Sequence, residues 1–140
     1  MGVFFLFLFV HPSFGTVSPG HTTLEQAKAQ LEAGQTTPAL ETVEELIDSL
    51  PPPEVLQQAY FLQATILKHD ARIGEALSVL RQLLEEFPFS TVTNSARVFM
   101  AELFAHNKEY SQALTQLYQT LDYANDLELR QTLFQRIRQA

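Results

Sequence analysis

The tightest constraint on this chain is a spacing. Ala39, Ala76 and Ala113 stand 37 residues apart, twice over, and their surroundings repeat in one ungapped register. Leu24 pairs with Phe61 and Val98, Ala27 with Ala64 and Ala101, and Leu40 with Leu77 and Leu114. Val43, Leu80 and Leu117 follow, then Ile47, Leu84 and Leu121. A period of this length belongs to stacked supersecondary units, none of which buries its apolar face alone. Within a unit the apolar residues recur at intervals of three and four, as in Leu77, Leu80, Leu84, the stripe of an amphipathic helix.

Each unit therefore reads as two helices, and the spacing predicts helices over about 54–68 and 73–87 in the second. Pro51-Pro52-Pro53 stops one helix and can open the next, because proline lacks the donor a helix interior needs yet suits a first turn. Pro88 closes the second unit at the position of Pro51, and Asn125 takes that place in the third. Gly34, Ala71 and Lys108 fall at the inner turns, and only the first is the glycine favoured where a helix ends. The alanine positions are small because paired helices approach closely there.

The chain of 140 residues has room for one domain with a core, and 46 % hydrophobic against 18 % charged residues is a globular balance. Nine basic and 16 acidic side chains leave a net charge of -7, the wrong sign for a nucleic-acid footprint. With no cysteine, disulfides, thiolate metal sites, cysteine nucleophiles and a lipidated cysteine are excluded together.

The first fifteen residues differ in kind. Val3 to Val10 is an unbroken apolar run, ended by His11-Pro12. At about 1.5 Å per residue it falls far short of the roughly 30 Å hydrocarbon core, so no membrane span is expected. Its length suits the apolar stretch of a secretory signal, with Ser13 and Gly15 as small residues at a cleavage site. No lysine or arginine precedes the run. The expectation is a signal over 1–15 and a mature chain starting near Thr16; the alternatives are a displaced start codon and an N-terminal helix docked on the protein.

In the second unit Tyr60, Ala64, Leu67, Ala76, Leu80 and Pro88 resemble the tetratricopeptide pattern, with Ile73 and Leu83 as departures. The third unit matches through Ala101, Phe104, Tyr110, Ala113 and Leu117, and the stretch 85–114 resembles variant repeats of bacterial envelope proteins. The first unit has Thr23 and Thr36 where the second has Tyr60 and Ile73. The resemblance, over about 20–125, implies an all-α, right-handed α-solenoid of about three helix-turn-helix hairpins plus a C-terminal helix. The units run over about 20–56, 57–93 and 94–126. Residues 127–140, through Leu127, Leu133, Phe134 and Ile137, form a capping helix or begin a fourth repeat.

In that family the first helix of each hairpin lines a concave groove. The resemblance places its partner-binding positions on Gln58, Phe61, Leu62, Thr65, Lys68 and His69, and on Ser95, Val98, Phe99, Glu102, Ala105 and His106. The lysine, asparagine and arginine set that grips a terminal carboxylate in the chaperone-binding branch is missing. The groove suits a helix or extended segment of a protein partner; the alternative is that Phe61 and Phe99 are core between hairpins.

No catalytic, cofactor or metal site emerges from the sequence. The four histidines lack ligand spacing: His21 opens the first helix, His69 and His106 sit at equivalent hairpin ends, and no HExxH occurs. Adjacent carboxylates such as Glu44-Glu45 and Glu85-Glu86 point about 100° apart on a helix and read as solvated faces. Ser90, Ser95 and Ser111 lie in no nucleophile motif, and five scattered glycines make no phosphate loop. The expected function is an exported interaction or scaffold module, not an enzyme, working in bacterial envelope assembly with a protein or peptide partner, in the periplasm or envelope. The alternatives are the recruiting segment of a larger envelope protein and a cytoplasmic adaptor.

Overall fold

The computed structural model describes residues 18–123 together with Gln131, Gln135, Arg138 and Gln139. The signal expected over 1–15 lies outside the described residues, as does most of the closing helix expected over 127–140. The described residues form six helices and no strand: α1 Pro19–Glu32, α2 Thr36–Asp48, α3 Pro53–His69, α4 Ile73–Glu86, α5 Thr93–His106 and α6 Tyr110–Tyr123. They pair as three hairpins, α1 with α2, α3 with α4 and α5 with α6. The all-helical repeat expected from the spacing is what the described residues form.

The inner turns keep the 37-residue period without slippage. First helices end at Glu32, His69 and His106, and second helices begin at Thr36, Ile73 and Tyr110. One backbone device makes all three turns. Gly34, Ala71 and Lys108 adopt left-handed φ of 75°, 58° and 63°. The amide after each reaches back five residues, Gln35 to Gln30, Arg72 to Leu67 and Glu109 to Phe104, at 2.9, 2.9 and 2.8 Å. Helix-end carbonyls are thereby satisfied. Glycine enters this conformation freely, whereas Ala71 and Lys108 carry a steric cost of about 1–2 kcal/mol.

The joints between hairpins do not keep the period. Between α2 and α3 they span 49–52, and Pro53 opens the new helix at its first position. Between α4 and α5 they span 87–92. There the buried Thr93 hydroxyl donates to the Phe87 carbonyl at 3.0 Å and accepts from the Ser90 amide at 3.0 Å, closing the longer linker.

Two apolar clusters hold the array. Leu24, Ala27, Ala39, Val43, Val55, Leu62 and Ile66 join α1, α2 and one side of α3. Tyr60, Ala64, Leu67, Leu80, Leu103, Phe104 and Leu117 join the other side of α3 to α4, α5 and α6. Leu40 and Ile47 touch both clusters. Ala27, Ala64, Ala39 and Ala76 are wholly buried, which is why the register admits nothing larger there.

Candidate functional site

The first helices α3 and α5 meet through their aromatic residues. The Phe61 and Phe99 ring centroids lie 5.3 Å apart at 42°, and Lys68 Nζ sits 5.5 Å above the Phe99 ring. Such tilted pairs and cation-over-ring contacts are favourable because the ring face is electron-rich. Of the expected groove residues, Gln58, Lys68, His69, Ser95 and His106 are exposed, and Phe61, Thr65, Glu102 and Ala105 are partly covered. Two positions, Leu62 and Val98, are buried where a groove position was expected, and Phe99 follows the alternative reading as core. Leu62 turns into the cluster shared with α1 and α2, and Val98 and Phe99 belong to the main core. A one-helix stripe broad enough to line a groove must also pack on two neighbouring helices, so its edges are consumed by the core. Phe61 and Phe99 thus join the hairpins, and the open face is polar above that aromatic floor.

His21, His69 and His106 are exposed, and among the described residues no group of three or more His, Cys, Asp or Glu could hold a metal ion. No helix among them is long and apolar enough to cross a membrane.

Glu86 is not the merely solvated carboxylate expected from its sequence. It accepts from the buried Tyr60 hydroxyl at 3.1 Å and from Gln82 Nε2 at 2.9 Å, and Gln82 also donates to the Tyr60 oxygen at 2.9 Å. Burial, together with the Glu86 charge, pushes the Tyr60 phenol up to about 12. The triad ties the first helix of the hairpin to the second.

One period later Arg97 replaces Tyr60 and Gln119 replaces Gln82, joined by Arg97 Nη1 donating to Gln119 Oε1 at 2.7 Å. Beside this contact a recess of about 430 Å³ opens between α4, α5 and α6, floored by Leu84, Met100 and Phe104. Arg97 and Gln116 also line it, and Arg97 Nε and Gln116 Oε1 are buried without a hydrogen-bond partner. Sequence reasoning missed this recess. The signal was present in the register, which sets a charged Arg97 at the position of a core tyrosine.

Residues 58–90 match the family model of the tetratricopeptide repeat. The match covers α3 from Gln58, all of α4 and the closing Pro88, so the second hairpin of this chain is a tetratricopeptide repeat. No match to the chain was found among curated proteins.

Proposed function

We propose that the chain is an exported interaction module that holds a partner protein along the face of α3 and α5. The observation that carries this reading is the tetratricopeptide repeat over 58–90, a repeat class that serves protein–protein interaction. The face itself supports it: Gln58, Lys68, His69, Ser95 and His106 are exposed on the two helices that carry the Phe61–Phe99 contact. Polar groups over an apolar base suit an extended segment or a helix laid across the two first helices. Export rests on the apolar run Val3 to Val10 and the small residues Ser13 and Gly15. The bacterial envelope as the setting rests on the resemblance of the stretch 85–114 to envelope-protein repeats.

Photocrosslinking in the native host tests the binding face. A benzoylphenylalanine at Ser95 yields a discrete protein adduct, whereas the same group at Glu41, exposed on α2, yields none. Adducts from Glu41 with none from Ser95 overturn the assignment. The mass of the protein recovered by compartment tests export: loss of residues 1–15 outside the cytoplasm supports it, and an intact N-terminus in the cytoplasm refutes it.

A further inference from the structure

The third hairpin carries an apolar stripe that its predecessors keep covered. Tyr110, Leu114 and Tyr118 stand at i, i+4 and i+8 on one side of α6, and all three are exposed. One period earlier Leu77 holds the place of Leu114 and is buried, and α5 packs on the helix that carries it. In the first hairpin Leu40 touches both apolar clusters, so the next hairpin reaches that position too. Among the described residues the stripe on α6 has no such cover. Exposed apolar surface of this kind marks a place where something binds.

The sequence supplies an occupant four residues after α6 ends at Tyr123. From Leu127 onward, Leu127, Leu133, Phe134 and Ile137 have the spacing of one helix side. Gln131, Gln135, Arg138 and Gln139 are helical and exposed, at i, i+4, i+7 and i+8, which groups them on a different side. A helix that is polar on one side and apolar on another needs a surface to lie on. An open stripe and an amphipathic segment are thus joined by a short tether, which gives the segment a high effective concentration over the stripe and the advantage over a second copy.

The register decides what kind of helix it is. One period on from Ala27, Ala64 and Ala101 stands Arg138, and one period on from Leu24, Phe61 and Val98 stands Gln135. The alanine position is where a first helix closes on the second helix of its own hairpin, and an arginine there holds the two apart. The side that would receive a further helix is therefore polar, as a terminal element of a stacked array requires. We propose that residues 127–140 fold back as a single closing helix on the Tyr110, Leu114, Tyr118 stripe of α6, through Leu133, Phe134 and Ile137, and do not open a fourth hairpin. The stripe is then filled from within the chain, and a partner is left the groove face of α3 and α5.

The test uses the full chain, which has no cysteine, with a nitroxide spin label on Ser111→Cys, exposed beside the stripe. The label broadens the methyl signals of Leu133 and Ile137, and the same label on Glu41→Cys, exposed on α2, leaves them sharp. Sharp signals with the label at Ser111→Cys overturn the proposal. Broadening that appears only when labelled chains are mixed with isotope-labelled, cysteine-free ones also overturns it, in favour of a second copy on the stripe. The register is tested by melting. Ile137→Gln lowers the melting temperature by about 5 °C, whereas Arg136→Gln, one period on from the core residue Phe99, leaves it unchanged. Equal losses, or a larger loss from Arg136→Gln, would mean that the segment continues the repeat register and that the closing helix is wrong.

Discussion

The second and third hairpins share a register but not a chemistry. In the second, a buried Tyr60 hydroxyl closes a three-membered network with Gln82 and Glu86, and Leu77 is only 5 % exposed. In the third, Arg97 reaches Gln119 while its Nε goes unpaired, and Leu114, the counterpart of Leu77, is 43 % exposed beside Tyr118 at 62 %. The second hairpin has neighbours on both sides, with α3 packed on α1 and α2 and α4 packed on α5. The comparison teaches that a repeat conserves the positions where helices touch and spends its variation where they do not. Small residues and turn geometry recur in every unit, whereas the polar tie between the helices of a hairpin is rebuilt in each.

The largest expected effect breaks that comparison if it fails. Ala76 has no exposed surface, and replacing it with tryptophan forces α3 and α4 apart at a cost of about 3 kcal/mol. Ala113, 5 % exposed in the third hairpin, tolerates the same change better, so thermal melting of Ala113→Trp falls less. Equal losses would mean that the two hairpins are packed alike.

Tyr60→Phe comes next, at about 1 kcal/mol, because Glu86 and Gln82 are exposed and recover water when the hydroxyl is gone. The pH dependence carries its own sign. The folded-state phenol titrates at about 12, above its ordinary 10.0, so the protonated form is favoured by folding. The contribution is fully present below pH 10 and is lost as pH rises through 10 towards 12. Denaturant midpoints across that window therefore fall more steeply in the native protein than in Tyr60→Phe, and ultraviolet titration of the variant lacks the late phenolate step.

A smaller effect has the opposite direction. Ala71 holds a left-handed φ of 58°, so Ala71→Gly relieves backbone strain and stabilises the second hairpin by about 0.5–1 kcal/mol, part of the relief being offset by the freer unfolded chain. Gly34→Ala lowers stability at the equivalent turn, and calorimetry of the two variants should show shifts of opposite sign. Last comes Arg72, whose guanidinium donates to Glu75 at 2.8 Å on an exposed surface. Hydrogen bonding from Arg72 holds the Glu75 carboxyl below its usual range, yet solvent screens the pair, and Arg72→Ala leaves the melting temperature unchanged at physiological salt.

Much of the fold was legible because its signals are local. Apolar spacing marked the helices, Pro53 and Pro88 marked their limits, and the 37-residue interval predicted three hairpins. The inner turns were placed correctly even at Ala71 and Lys108, where the usual glycine is missing, because the hydrogen-bond pattern at a helix end can impose a conformation the residue would not choose. The candidate groove was only partly legible. Family offsets named α3 and α5 as its lining and left Phe99 open between groove and core, but they did not show that Leu62 and Val98 would be drawn into the core. Those outcomes depend on how neighbouring hairpins settle against one another, which no residue encodes alone.

By itself the sequence determined the repeat, its helical period and the small residues at each close contact, since these follow from side-chain volume and the 3.6-residue turn. Only the tertiary structure decided that Tyr60, Gln82 and Glu86 share one network, that Phe61 rests on Phe99, and that Arg97 and Gln116 stand unpaired at one recess. Each of these includes a meeting of residues 19 or more positions apart on different helices, set by interhelical packing, a property of the assembled array.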